Sequence, residues 1–141
     1  MPVFPTKEWC EAAIAAANAD PDSARAGQGW VGDLAAVVLA EPPALEEAVA
    51  LYVEPVDGRF TNFRMLDDVD EIDELEPAYV AKAPYSVWKG LILGTLDPIE
   101  AVLMRKIELQ GDVQQVIERA KYKDLAHRIL SKVETIFPDE G

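Results

Sequence analysis

The chain has 141 residues, half of them hydrophobic, and carries 26 acidic against 13 basic side chains for a formal net charge of -13. That length suits a single domain over residues 1–141 with a core of its own, while the acidity argues against nucleic acid, which needs Lys and Arg on its phosphates, and against docking on an anionic membrane. Cys10 is the only cysteine, so no intrachain disulfide and no cysteine-built zinc site can form.

In chain order, "MPVFPTKEW" lacks a basic region followed by an apolar core of signal-peptide length, and no run nears the roughly 18 apolar residues that cross a bilayer. A cytoplasmic protein without stable membrane insertion is expected. Thr6 is an N-cap for the alanine-rich helix "KEWCEAAIAAANA", with Trp9, Ala13, Ala16 and Ala17 near one face. Asn18 to Pro21 ends it, and "PDSARAGQGW" adds a short helical turn and a glycine-rich exit. That exit spells G-x-G-x-x-G at Gly27, Gly29 and Gly32, but a dinucleotide site needs those glycines after a strand and opening a helix. Here a helix precedes and a strand, Trp30 to Leu39, follows, so the motif reads as a flexible turn.

"WVGDLAAVVLAEPP" is a mostly buried strand stopped by two prolines. "EEAVALYVEPV" and "RFTNFRML" are two further extended runs hinged at Asp57-Gly58, the strongest two-residue hairpin signal in the chain. Three runs on short links imply an antiparallel meander, with Pro55 at a strand end or an edge. "DDVDEIDELE" then packs seven acids into ten residues, with Val69, Ile72 and Leu75 spaced by three. As a calcium loop it fails, because counting from Asp68 places Ile72 fifth and Asp73, rather than glycine, sixth. It reads as an acidic solvated helix or loop tethered by those three apolar residues.

Tyr79 to Gly111 is the most apolar stretch. It predicts a strand (Tyr79 to Ala83), a Pro-Tyr-Ser break and a helix around Trp88, Leu91 and Ile92. The junction Gly94-Thr95-Leu96-Asp97-Pro98, a helix around Ile99, Val102 and Leu103, and a strand from Lys106 to Gln110 follow. Helices apolar nearly all round must bury more than one side, against a sheet, a partner or a ligand. Asp112 next caps "VQQVIERAKY", with Val113, Val116, Ile117 and Ala120 on one face. A last helix carries Leu125, Ala126, Ile129, Leu130, Val133, Ile136 and Phe137 until Pro138 stops it. His127 falls on its other side and reads as an ordinary surface residue.

Catalytic patterns are missing. There is no G-x-S-x-G, H-E-x-x-H or Walker loop, and with one histidine neither a triad nor a multi-histidine metal site can be built. The acids lie mainly in a dense, solvated run, the wrong setting for a raised pKa. A binding protein without catalytic activity, cofactor or metal is the expected class.

The stretch "YSVWKGLILGTLDPIEAVLMRKIELQGDVQQVIERA" resembles the signature region of the sterol carrier protein type 2 family, as found in prokaryotic single-domain members. The features that carry the resemblance are an apolar helix, Gly94-Thr95-Leu96-Asp97-Pro98, a second helix, the run Arg105-Lys106-Ile107-Glu108-Leu109, and Gly111-Asp112. The opening "KEWCEAAIAAANADPDSA…GW" is similar too. The family usually has a glycine before the basic residue that opens the last strand; Leu103-Met104-Arg105-Lys106 departs from that. The resemblance implies an α+β fold: a five-stranded mixed, mostly antiparallel sheet covered on one face by helices, with an apolar cavity or tunnel between. It also implies a carrier of fatty acid, fatty acyl-CoA, sterol or isoprenoid lipid.

The residues supply a physical reason for such a cavity, since the helices offer more apolar faces than one side of a small sheet consumes. Candidate lining residues are Trp88, Leu91, Ile92, Val102, Leu103, Leu125, Ile129 and Val133, and the Gly94–Pro98 corner is where the cavity is expected to open. Burying a sixteen-carbon chain gains roughly 12 kcal/mol gross at about 0.8 kcal/mol per methylene, much of it offset by ordering and association. A carrier of micromolar affinity therefore needs no specific polar contact. Nine of the 13 basic residues lie between Lys82 and Lys132, which would permit the phosphates of an acyl-CoA at the mouth. The alternative is an interaction module whose apolar helices form a homodimer or cover an enzyme, with no small ligand.

Overall fold

The computed structural model describes residues 2–140. Thr6 accepts a hydrogen bond from the Trp9 amide and starts α1 (Lys7–Ala19); Asp20 caps α2 (Pro21–Gly27), with proline at its first position. The five strands are β1 (Leu34–Leu39), β2 (Val49–Val56), β3 (Arg59–Met65), β4 (Tyr79–Pro84) and β5 (Glu108–Gln110), in the order β3-β2-β1-β4-β5. Strands β1, β2 and β3 form the antiparallel meander, and β4 pairs parallel to β1 and antiparallel to β5. Asp57 and Gly58 both take positive φ, 51° and 80°, at the β2–β3 turn, the backbone an Asp-Gly hairpin turn requires. Pro55 lies one residue from the end of β2, beyond the residues that pair with β1, so its missing N–H removes no bond from that ladder.

Side chains alternate across the sheet. Ala36, Val38, Leu51, Ala81 and Ala83 share one face, as the register of β1 with β2 and β4 requires. Against it pack α1, α4 (Tyr85–Leu93), α5 (Pro98–Leu103) and α7 (Lys123–Ser131). The other face carries Ala35, Val37, Ala50 and Val80, and the acidic segment covers it: Leu66, Val69 and Ile72 pack there, Ile72 from the short α3 (Glu71–Leu75). The dense acids thus sit outside on an apolar tether, with Leu66 joining Val69 and Ile72 in the place expected of Leu75.

Several boundaries differ from those the sequence predicts. The strand expected from Trp30 starts at Leu34, because the Gln115 side chain takes both backbone groups of Val31, donating to its carbonyl and accepting from its N–H at 3.1 Å each. Trp30 folds back, donating to the Gly32 carbonyl at 2.9 Å and stacking on Tyr79. The Pro-Tyr-Ser break is no break: β4 runs through Pro84, which itself precedes the first turn of α4. The strand expected from Lys106 begins at Glu108, since the Lys106 and Ile107 amides close the turn after α5 onto the Ala101 carbonyl.

The helix expected after Asp112 is divided. Asp112 caps α6 (Val113–Ile117) as predicted, but the chain turns at Arg119 and passes through a 3-10 turn, Ala120–Tyr122, into α7. Arg119 fixes that corner, donating to the Ala26 and Gln28 carbonyls while its guanidinium lies over the Trp30 ring at 4.9 Å. At its other end α7 stops at Ser131, not Phe137. Ile136 instead bridges Val3 in parallel, its N–H bonding the Pro2 carbonyl at 2.9 Å and its carbonyl taking the Phe4 N–H at 3.0 Å. Phe137 consequently enters the core from an extended segment, beside Phe4 and Trp9.

Candidate lipid cavity

Between the sheet and the helices lies a cavity of about 620 Å³, within the range of small-molecule sites. Its inner end is built from Phe4, Trp9, Val38 and Ile92, all buried, with Ala36 and Leu51 from the sheet. Its sides are Trp88 and Leu91 of α4, Leu96 and Pro98 of the α4–α5 corner, and Leu130 of α7. The indole N–H groups facing this region are satisfied by the protein. Trp9 Nε1 donates to Thr135 Oγ1 at 2.8 Å, and Trp88 Nε1 to the Val37 and Ala83 carbonyls at 3.0 Å each. What both indoles present to the cavity is therefore apolar ring.

The outer end is polar. Thr95, Asp97, Glu100, Lys123, Asp124 and His127 gather there, with Gly94 and Ala126 between them. Gly94 makes this corner possible. It ends α4 at φ 79°, and its N–H bonds the Gly90 and Leu91 carbonyls, the left-handed close that glycine takes without strain. A side chain on Gly94 would meet the His127 imidazole. Asp97 then caps α5, accepting from the Ile99 and Glu100 amides at 2.8 and 3.2 Å, and pairs with Lys123 Nζ at 2.8 Å. Lys123 first, then the amides, hold the Asp97 carboxyl below the usual carboxylate range, and Asp97 in return raises Lys123.

Of the eight residues proposed from sequence, Trp88, Leu91 and Ile92 line the cavity and the other five do not. In α5 the face toward the sheet is set by Ala101, fully buried against Ala83 and Ile107. Two residues on, about 200° round the helix, Leu103 points outward and is 66% exposed. Val102 is half-buried against the same Ala83–Ile107 cluster. On α7 the apolar stripe is wider than one surface needs. Leu125 is half-buried off the cavity, Ile129 is buried off it, and Val133 joins the core with Phe4, Trp9 and Cys10. The cavity takes the neighbouring positions Ala126, His127 and Leu130. His127, an ordinary surface residue by sequence, is exposed but stands at the mouth, over Gly94.

Sequence reasoning passed over Phe4, Trp9, Ala36, Val38 and Leu51. The strand residues carried a signal in their two-residue period, whereas Phe4 reaches the cavity only through the Val3–Ile136 bridge, which no local pattern announces. Cys10 lies off the cavity in the core, where burial pushes its thiol up to about 12, so it is inert. A shallower depression of about 400 Å³ lies at the β2–β3 end of the sheet, between Tyr52, Glu54, Asn62, Phe63 and Arg64. Its walls are mostly polar. Among the described residues, no group of three or more His, Cys, Asp and Glu side chains is placed to hold a metal ion, and no helix is long and apolar enough to cross a membrane.

No protein-family model matches the sequence, and no curated protein matches it. Solved structures do. The chain is similar to a conserved hypothetical protein of Thermus thermophilus described as a possible sterol carrier protein, at 22% identity and a TM-score of 0.77, covering 93% of this chain and 90% of that one. It is similar to a crystal structure of sterol carrier protein 2, at 22% identity and a TM-score of 0.74 over 92% of this chain and 98% of the other. Sterol carrier protein domain 2 of Helicoverpa armigera follows at 18% identity and a TM-score of 0.57, covering 92% and 91%. The fold is the one these sterol carrier proteins share, as the Gly94–Pro98 junction and the order of elements led us to expect.

Proposed function

We propose that this chain, which has the sterol carrier fold, is a non-catalytic carrier holding the apolar tail of one lipid between its sheet and its helices. The observation that carries the reading is the buried apolar end of the cavity. Phe4, Trp9, Val38, Leu51, Trp88 and Ile92 offer hydrocarbon and ring surface with no free donor, which suits a saturated tail and gives a polar substrate nothing to bond. Each methylene buried there gains about 0.8 kcal/mol, so affinity scales with tail length until the cavity is full. Tail-in, head-out binding follows, because the polar residues lie at the opposite end. The names of the similar structures point the same way.

Native mass spectrometry of protein purified without detergent, followed by titration with a fluorescent fatty-chain probe, tests the reading. The expected result is a one-to-one lipid adduct, or saturable probe binding displaced by long-chain competitors and not by short ones. Absence of both would overturn it. Exposed Leu93, Leu103 and Met104 keep a second reading in view, in which these helices meet another copy of the chain. Sedimentation that shows a dimer, with or without lipid, in protein that binds no probe would favour that reading instead.

A further inference from the structure

The cavity mouth carries a charge pattern that bears on the head group, an inference that rests on the carrier reading above. Three carboxylates line it, Asp97, Glu100 and Asp124, against one ammonium, Lys123. Lys123 is already bound to Asp97 at 2.8 Å, which leaves Glu100 and Asp124 as an excess of two negative charges. The first amides of α5 are occupied as well, since Asp97 accepts from Ile99 and Glu100 there. The Thr95 hydroxyl bonds the Gly90 carbonyl. An anionic head would meet negative potential and, among the described residues, the His127 imidazole but no free Lys or Arg.

The other basic residues of the Lys82–Lys132 region do not relieve this. Lys89 pairs with Asp139 and Glu140, Arg128 with Asp20 and Asp22, and Arg119 donates to the Ala26, Gln28 and Gln115 carbonyls. Arg105 and Lys106 are exposed beyond the C-terminal end of α5, whereas the mouth lies at its N-terminal end. The basic excess legible in the sequence is thus distributed mainly to structural partners. Among the described Lys and Arg residues, only Lys123 reaches the cavity.

We propose that the site selects lipids whose head donates a hydrogen bond and bears no negative charge, such as a long-chain alcohol, over fatty carboxylates and acyl phosphate esters. A hydroxyl head can donate to Glu100 or Asp124, where a carboxylate can only accept and is repelled. Two unit charges roughly 8 Å from an anionic head, at an effective dielectric of about 50, between that of water and that of a protein surface, disfavour it by somewhat more than about tenfold at low salt. Screening shrinks that factor as ionic strength rises, and the affinity for an uncharged head stays constant.

The test is competition by dodecanol and dodecanoate against one fluorescent fatty-chain probe, at a pH well above the carboxylate range and at low and high salt. Expected are tighter binding of the alcohol by tenfold or more at low salt, a gap that narrows with salt, and a gap that closes in the double variant E100Q/D124N. Dodecanoate binding as tightly as dodecanol in the wild-type protein would overturn the inference while leaving the carrier reading intact. So would a preference that the double variant leaves unchanged. If neither ligand nor the probe binds, the carrier reading fails and takes this inference with it.

Discussion

Replacing Ala36 by leucine decides by sign whether the space above the sheet is open. Ala36 sits in β1, the central strand, on the face toward the helices, and lines the cavity beside Leu51 and Val38. Leucine adds three carbons. If they enter a cavity of about 620 Å³, they bury apolar surface worth about 2.4 kcal/mol, less about 0.5–1 kcal/mol of rotamer entropy. The delipidated variant should then be more stable than the wild type by about 1.5 kcal/mol. Urea denaturation reads this as a rise in midpoint of roughly 0.5–1.5 M at unchanged slope. Lipid binding should weaken in the same variant, because the tail and the new side chain compete for one volume. In a filled core the same change would be overpacking and cost about 1–3 kcal/mol. A lowered midpoint for Ala36→Leu would therefore refute the open cavity.

Three further outcomes follow from the geometry. Gly94→Ala places a side chain at φ 79° and against His127, so urea denaturation should show a loss of about 1–2 kcal/mol. Gly94→Ala/His127→Ala should recover the contact share and not the backbone share. Asp20 is buried; the Asp22 amide first, then Arg128 and Lys132, hold its carboxyl below the usual range. Its contribution is complete above the unfolded value near ~3.9 and is lost as pH falls through the lower folded value. Asp20→Asn should thus lower the denaturation midpoint at neutral pH, and the wild-type and variant curves should converge below about pH 4. Leu103→Trp, at an exposed position off the cavity, should leave probe binding within about a factor of two; a clear loss of binding would return α5's outer face to the site.

The fold was legible where local chemistry and period agreed. Asp57-Gly58, the Thr6 and Asp112 caps and the Gly94–Pro98 junction each impose a backbone geometry, and each stands where the pattern placed it. Elements governed by distant partners were not legible. Gln115 ends β1 short of Trp30, Arg119 breaks the helix after α6, and Val3 draws Ile136 out of α7. All three partners lie more than eighty residues away in sequence. The cavity was half legible for a similar reason. Apolar periodicity finds a buried stripe, but it cannot say which edge of a wide stripe meets neighbouring helices and which meets open space. On α7 and the segment after it, the residues around the cavity are Ala126, His127 and Leu130 rather than Leu125, Ile129 and Val133. On α5 the fully buried Ala101 turned Leu103 to solvent.

The three tryptophans allow the most direct measurement. Trp9 and Trp88 line the cavity, whereas Trp30 packs against Tyr79 and Arg119 away from it. Bromine quenches indole fluorescence on contact, so a long-chain alcohol brominated along its tail reports whether the tail lies beside these rings. A Trp30→Phe variant should show saturable, one-to-one quenching by the brominated alcohol and none by its unbrominated counterpart. Fluorescence that declines only in proportion to added lipid, or quenching confined to Trp30, would contradict a lipid tail held between the sheet and the helices.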